Sequence, residues 1–193
     1  MKEKTESIIQ IIRPKAKLIF FLFMIVTLRS TTRVVFVNFL SLFIKQRQLS
    51  LMIGAIVLFV FSLSTAVGTF LGGYISKWVS RRNLLIYSMS ASSPLLILML
   101  YSNGSLFVVL LILSGIISSC SNPANLAIAQ EAIPKGASTA SSLMMGASWG
   151  VAAVIAMFFG IIADHFGGNV VPAMAISATL PIVASLFAIP IPK

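Results

Sequence analysis

The sequence predicts an all-α membrane protein whose six transmembrane helices form two inverted three-helix repeats. Only 9% of the 193 residues are charged and 58% are hydrophobic, whereas a typical soluble domain carries about 25% charged residues. The hydrophobic residues fill runs of about 20 residues, which is the length of helix that crosses the hydrocarbon core of a bilayer. A polar turn follows the second run and returns in weaker form after the fifth, as in membrane proteins built by duplication.

Six apolar runs give the six predicted helices. A polar segment, 27–33, interrupts the first run, so two interfacial segments are the alternative to one spanning helix there. One helix is favoured because neither half of the run is long enough to cross alone. In chain order the predicted helices are Leu18–Ile44, Leu51–Ile75, Leu84–Tyr101, Leu106–Ile128, Thr139–Ala163 and Val170–Ile189.

Prolines interrupt the third and the fourth predicted helix. Pro94 follows Ser93 in the third helix, and Pro123 follows Asn122 in the fourth. A proline removes a helical N–H group and leaves a carbonyl without its usual partner. A kink at either position could line a cavity or serve a gate, and a static kink relieved by a nearby polar side chain is the alternative.

The basic residues orient the predicted helices. With six spans both termini lie on one side, and ten lysines and arginines fall there, against Lys45 and Arg47 on the other. The positive-inside rule therefore places both termini in the cytoplasm. The turn after the second helix is then cytoplasmic and the turn after the fifth is outside, so the repeats are inverted. The ten are Lys2, Lys4, Arg13, Lys15, Lys17, Lys77, Arg81, Arg82, Lys135 and Lys193.

This topology predicts four segments along the chain. They are a basic cytoplasmic leader (1–17), a first three-helix repeat (18–101), a second three-helix repeat (106–189) and a cytoplasmic tail (190–193).

The composition argues against other classes of protein. The net charge of +10 could indicate nucleic-acid binding, but the basic residues lie in short loops rather than on one soluble face. A lone cysteine, Cys120, excludes an intrachain disulfide and a cysteine-based zinc cluster. One histidine and four dispersed acids offer no metal site, no paired carboxylates and no Ser-His arrangement for an enzyme. We therefore expect no cofactor, no metal and no nucleic-acid partner.

Three segments carry a resemblance to a known family. The loop from Gly73 to Arg82, Gly-Tyr-Ile-Ser-Lys-Trp-Val-Ser-Arg-Arg, resembles the Gly-x-Leu-Ala-Asp-Arg-x-Gly-Arg-Lys loop of the major facilitator superfamily. The segments 129–136 and 140–146 look like the region between the tenth and eleventh helices of drug-efflux members. Together with Gly160–Gly167, they are most similar to the fosmidomycin-resistance-like group.

The resemblance implies half of a transporter. A full member has twelve helices, so this chain resembles the C-terminal six-helix half, with the basic leader standing for the central cytoplasmic loop. In the family the loop carboxylate holds a charge latch between neighbouring helices, but Lys77 stands at its place here and cannot accept hydrogen bonds. Ser80 replaces the loop glycine, while the second copy keeps Asp164 and Gly167. The residues predicted for these conformational loops are Gly73, Lys77, Arg81, Arg82 and Asp164.

Arg29 and Arg33 are the sharpest candidates for a substrate site. They lie four residues apart, on one face of the first predicted helix and near its middle. An arginine at that depth costs about 2.5–3.5 kcal/mol on insertion scales, so such residues usually face a cavity or a partner. Snorkelling, or a wet stretch of helix, is the alternative. Asn122 and Trp149 are further candidates for substrate contact, although a packed aromatic is the simpler reading of the tryptophan.

Two Gly-x-x-x-Gly pairs predict close helix packing. Gly68 and Gly72 lie in the second helix, and Gly146 and Gly150 lie in the fifth. In the resembled family these helices line the contact between the two halves, so each pair is a candidate docking face for a second six-helix unit. Packing within this unit is the alternative.

The predicted function is secondary-active efflux of a small, possibly anionic molecule by alternating access, as the C-terminal half of a drug-resistance antiporter. The expected partners are the lipid bilayer, the substrate, and a second six-helix unit that is either a missing N-terminal half or another copy. The expected location is a bacterial cytoplasmic membrane. A truncated remnant without transport activity, or a membrane assembly protein, is the alternative, and the residue inventory speaks against a membrane-embedded enzyme.

Overall fold

Six long apolar helices account for most of the computed structural model, which describes residues 15–191. Short turns of a few residues join them, so successive helices run in opposite directions through the bundle. We number them α1 to α6: Ala16–Gln46, Leu51–Ile75, Arg81–Tyr101, Gly104–Ala132, Ala137–His165 and Val170–Ala188. The six predicted helices are confirmed, the second with identical bounds, and the predicted leader lies almost entirely outside the described residues.

The first span is one continuous helix of 31 residues. Two threonines of its polar segment find partners without unwinding the backbone. Thr31 donates to the Thr27 carbonyl within the helix, at 2.9 Å, and Thr32 donates across to the Ser177 carbonyl of α6, at 2.7 Å. The alternative of two interfacial segments is therefore wrong.

Three helices begin at side-chain caps, which satisfy amide groups that the first turn leaves without partners. The serine before α2 and the serine before α3 are part of the polar turns that the sequence marks as helix boundaries. The caps are Ser50, which accepts from the Ile53 amide, Ser80, which accepts from the Asn83 amide, and Asn169, which accepts from the Val171 amide.

The first helix of each repeat packs chiefly against helices of the other repeat. Helix α1 of the first repeat packs chiefly against α5 and α6 of the second, and α4 of the second packs chiefly against α2 and α3 of the first. Helices α3 and α6 pack against each other. The main contacts between the repeats thus come in matching pairs, which is the pattern of an inverted repeat.

Two apolar clusters fill the bundle, one toward each end. The cluster near the α1–α2 turn includes Phe36, Phe43 and Met99, and the cluster at the opposite end includes Leu22 and Leu85. Between them lies a layer in which most helices contribute buried hydroxyl or amide side chains. Its members include Ser30, Thr31, Ser64, Thr65, Ser92, Ser93, Ser114, Ser119, Ser121, Asn125, Ser148 and Ser177. We call it the polar layer, and it lies at the middle depth of the bundle.

Two spans are irregular at this depth. Helix α4 consists of Gly104–Ser119 and Asn122–Ala132, which are separated by a turn and restart at Pro123. Helix α5 contains a π-helical turn, Leu143–Ala147. By contrast, Pro94 lies inside α3 without ending it. Irregular backbone at membrane depth is tolerated where it lines a cavity or is buried in protein.

The first glycine pair packs inside the unit. A Cβ atom on Gly68 would collide with the backbone carbonyl of Ile116, and one on Gly72 with that of Cys120. Because α4 already covers this pair, the prediction that it forms a docking face for a second unit is wrong, and the alternative of internal packing holds. Gly146 and Gly150 are exposed, and no described atom lies within 4 Å of a Cβ placed on either.

Candidate functional site

Arg29 and Arg33 lie at the middle of the longest helix. Helix α1 runs from Ala16 to Gln46, so each arginine is two residues, or about 3 Å along the axis, from its midpoint. The two side chains share one face and line the same cavity. Both guanidinium groups therefore lie in the polar layer.

Arg29 contacts the break in α4. Its Nη1 donates a hydrogen bond to the Ser121 hydroxyl at 3.2 Å, and Ser121 is fully buried between the two segments of that helix. The contact joins the midpoint of α1 to the one place where α4 loses its helical backbone.

Arg33 contacts α5 instead. Its guanidinium carbon lies 5.5 Å from the centre of the Trp149 ring, within the range of a cation–π interaction. Trp149 is 43% exposed and follows the π-helical turn, a feature frequent at functional sites. The two arginines thus share a cavity but are held by different helices.

Asn122 completes the group. Its amide donates to the Thr69 hydroxyl of α2 at 3.0 Å, and that hydroxyl donates in turn to the Thr65 carbonyl at 2.9 Å. One of the two N–H donors of this amide is therefore occupied, while the side chain still lines the cavity.

The four candidate residues line two adjoining spaces. Arg29, Arg33, Asn122 and Trp149 border both. The inner space is about 30 Å³, comparable to the volume of one water molecule. The outer space is about 380 Å³, within the range of small-molecule sites. The structure brings these residues together, and their role in substrate binding stays a prediction.

The cavity is electrostatically positive. Two guanidinium groups line it, whereas the carboxylates among residues 15–191 belong to Glu131 and Asp164, near the ends of α4 and α5. The second segment of α4 begins at Asn122, so the positive end of its dipole also lies at the cavity wall. This arrangement suits an anionic group.

Several cavity residues could not be found from the sequence. Thr65, Thr69 and Ser121 are small polar residues of a kind that recurs in every helix, so nothing in the chain singles them out. Met144 and Met145 line the outer space through the π-helical turn. Near these side chains, the feature that the sequence did mark was Asn122-Pro123, because its proline predicted an interruption of α4 there.

The predicted conformational loop is held by different contacts from those expected. Lys77, which replaces the family carboxylate, lies with its amine 5.4 Å from the centre of the Tyr74 ring. Arg81 instead forms an ion pair with Glu131, which joins the start of α3 to the end of α4. An ion pair between neighbouring helices is thus present, with its carboxylate supplied from 50 residues further along the chain, and its role as a charge latch stays a prediction.

The other predicted loop residues occupy both ends of the bundle. Arg82 donates to the Ile189 carbonyl at 2.6 Å, which joins the start of α3 to the end of α6. Gly73 lies beside Pro123, with 3.9 Å between a placed Cβ and the ring. Asp164 is exposed at the opposite end, where its carbonyl accepts from the Gly167 amide at 3.0 Å.

Arg47 and Gln46 make hydrogen bonds that join neighbouring elements at the end of the bundle where Asp164 lies. Arg47 donates to the Ser102 carbonyl at 2.7 Å and to the Leu100 carbonyl at 2.6 Å, so it caps the last turn of α3. Burial lowers its pKa from the ordinary value, yet an arginine stays protonated in proteins.

Gln46 makes a second fastening, to the turn between α5 and α6. It donates to the Gly168 carbonyl at 2.6 Å and accepts from the Val170 amide at 3.3 Å. These contacts were not predictable from the sequence, because the partners are 53 to 124 residues away.

Six helices long and apolar enough to cross a bilayer, with an irregular, positively charged cavity at mid-depth, define an integral membrane protein built on the plan of a transporter half. A family model of the Major Facilitator Superfamily matches residues 2–157. The chain belongs to this superfamily, and the predicted family is confirmed.

Two curated relatives agree. The chain is 33% identical to the uncharacterized MFS-type transporter YfnC of Bacillus subtilis (strain 168) over 129 residues, which are 67% of this chain and 31% of the relative. It is 30% identical to the fosmidomycin resistance protein of Escherichia coli (strain K12), with the same shares of each chain. The chain thus matches about a third of these relatives' length. No solved structure matches the chain.

Proposed function

We propose that this chain is the C-terminal six-helix half of a secondary-active efflux transporter for a small anionic molecule. Its place would be a bacterial cytoplasmic membrane, with both termini in the cytoplasm. Membership of a superfamily of transporters supports transport rather than catalysis. The observation that carries the substrate class is the pair Arg29 and Arg33, which line one cavity at mid-depth without a carboxylate beside them in the described chain.

A second six-helix unit would complete the site. Trp149, Met145, Gly146 and Gly150 are exposed along one side of α5, next to the outer space of the cavity. Small residues let helix backbones approach closely, so this side of α5 is the proposed docking face. The relatives are longer than the matched part of this chain, which supports the same arrangement.

Coupling to protons would then depend on that second unit. A proton antiporter uses acids or histidines at membrane depth, and the acids of residues 15–191 lie near helix ends instead. We propose that the coupling carboxylate belongs to the partner unit and that the arginine pair attracts the substrate anion.

Binding tests the substrate class directly. Trp149 lies against Arg33, so its fluorescence can report ligand in a Trp78→Phe background. We expect the purified chain to bind fosmidomycin, used as an anionic test compound, and Arg29→Gln or Arg33→Gln to weaken binding by about tenfold, as expected for loss of a charged hydrogen bond. Lys45→Gln, at an exposed position outside the cavity, is the matched control. Unchanged affinity in both arginine variants contradicts the proposal.

Transport separates a working half from a remnant. We expect everted vesicles that hold the chain together with an N-terminal six-helix unit to accumulate the compound, and vesicles with the Arg29→Gln variant to lose this uptake. The alternative is a non-transporting remnant or a membrane assembly protein. Binding without uptake in any pairing supports that candidate.

A further inference from the structure

A second cavity opens at the end of the bundle where α1 and α3 begin and α2 and α4 end. It measures about 540 Å³. Four cations, Lys15, Lys77, Arg81 and Arg82, line it together with a single carboxylate, Glu131. We call it the basal cavity.

Three of the four cations have no carboxylate partner in the described part of the chain. Glu131 pairs with Arg81, and Lys77 has only the Tyr74 ring beside it. Arg82 gives one nitrogen to the Ile189 carbonyl, while its buried Nε has no hydrogen-bond partner among residues 15–191. An unpaired, buried guanidinium nitrogen is costly, and an anion in the cavity would satisfy it.

Two helix N-termini add to the positive potential. The first turns of α1 and α3 both line the basal cavity, through Lys15 and Leu18 in one and through Ser80, Arg81 and Arg82 in the other. Helix N-termini carry a partial positive charge and present amide donors to anions.

The cavity also has an apolar side at the level of the membrane interface. Leu18, Val79 and Ile128 line it beside the cations. Trp78, which is 67% exposed, packs edge-on against Tyr74 with 4.3 Å between ring centres. Trp and Tyr concentrate at the headgroup level of bilayers. A lining that combines cations with apolar side chains matches a phospholipid, which carries both a charged headgroup and hydrocarbon, better than a soluble anion.

We propose that the basal cavity binds the phosphate of an anionic phospholipid, with the acyl chains along the apolar side. Basic pockets between transmembrane helices are known to hold such headgroups. The excess of cations favours a lipid with net negative charge over a zwitterionic one. This inference rests on the basal cavity alone and stands or falls independently of the proposed transport.

Thermal unfolding in detergent tests the site. We expect dioleoyl phosphatidylglycerol, at 100 times its Kd, to raise the Tm of the full chain by about 5–11 °C, which is the rise that such a ligand gives for a chain of this size. Dioleoyl phosphatidylcholine has the same chains and no net charge, and we expect it to give less than half of that rise. Inorganic phosphate should give none.

The variant Lys15→Gln/Lys77→Gln removes two cations that make no ion pair among the described residues. We expect it to lose more than half of the phosphatidylglycerol rise, whereas Lys15→Arg/Lys77→Arg and the opposite-end control Lys45→Gln keep it. Native mass spectrometry should show one fewer retained lipid in the glutamine variant, a readout that persists if its Tm is already low. Equal rises with both lipids, an equal rise with inorganic phosphate, or a full rise in the glutamine variant overturns the proposal.

Discussion

At the scale of single residues, the most informative contacts are those of arginines with backbone carbonyls. Arg47 and Arg82 each close the C-terminal end of a helix from another part of the chain. The last carbonyls of a helix have no partners within it. A nearby arginine donates hydrogen bonds to them, and its positive charge interacts favourably with the negative end of the helix dipole. These two residues lie at opposite ends of the bundle and fasten it at both.

Replacing Arg47 should therefore destabilise the protein. Arg47→Gln removes two charged hydrogen bonds to the end of α3 and the contact with the Phe43 ring at 4.4 Å. We expect the free energy of unfolding to fall by about 2 kcal/mol, which corresponds to a drop in Tm of about 4–8 °C for a chain of this size. Lys45→Gln changes a neighbouring basic residue that is exposed, and its Tm should stay near that of the wild type. Equal Tm values for the two variants would show that the hydrogen bonds from Arg47 to the end of α3 do not stabilise the protein.

The sequence predicted the cavity residues but not their partners. Arg29 and Arg33 stood out because charge in an apolar run is costly, and Asn122 stood out because a proline follows it. Ser121 and Thr69 carry the corresponding hydrogen bonds, yet hydroxyls are common in this chain and satisfy themselves within helices. Which of them faces an arginine depends on how the helices pack.

At the scale of helices, α2 and α4 make the closest backbone contact. Gly68 and Gly72 leave no room for a Cβ against the α4 backbone. The spacing of these glycines predicted a close approach, but a Gly-x-x-x-Gly pair does not say which neighbour approaches. The neighbour is α4 because the first helix of each repeat packs against the other repeat, and this arrangement is a property of the whole bundle.

The two glycine pairs should respond differently to alanine. Gly72→Ala places a methyl group against a backbone carbonyl that cannot rotate away, so we expect α2 and α4 to separate at a cost of about 1–3 kcal/mol. Gly150→Ala adds a methyl group in open space and should leave the Tm of the isolated chain unchanged or slightly higher. Thermal unfolding of both variants in one detergent compares them. A larger loss in Gly150→Ala contradicts the packing described.

The break in α4 should support anion binding. Pro123→Ala returns an N–H group to the backbone, which favours a continuous helix and removes the positive helix end from the cavity wall. We expect a higher Tm and a several-fold weaker affinity for fosmidomycin in the fluorescence titration. Pro94→Ala is the control because α3 is continuous around it and it does not line the cavity. If both variants bind like the wild type, the break does not contribute to the site.

Helix bounds were predictable because the length of an apolar run must match the bilayer. The turn in α4 was expected from its proline, whereas the π-helical turn of α5 was not. Leu143–Ala147 contains no proline, and its sequence is compatible with a regular helix. Next to this turn the Ser148 hydroxyl donates to the Met144 carbonyl, four residues earlier in the same helix.

At the scale of the whole molecule, the inverted repeats explain why the polar layer lies at mid-depth. Each repeat contributes hydroxyls near the middle of its helices, and inversion brings the two sets to the same level. The apolar clusters then fill the space toward either end. A cavity at this level lies midway between the two ends of the bundle, which is where the proposed alternating-access mechanism places a substrate site.

The inversion makes a prediction about the two related turns. Trp78 lies in the turn after α2 and is 67% exposed, and Phe166 lies in the turn after α5 and is 54% exposed. In a Cys120→Ser background we expect a membrane-impermeant maleimide to label Phe166→Cys in intact cells, and Trp78→Cys only after permeabilisation. The reason is that the excess of basic residues holds the α2–α3 turn in the cytoplasm. Labelling of both from one side contradicts the inverted arrangement, whereas the reverse pattern keeps the inversion and contradicts the cytoplasmic placement of the termini.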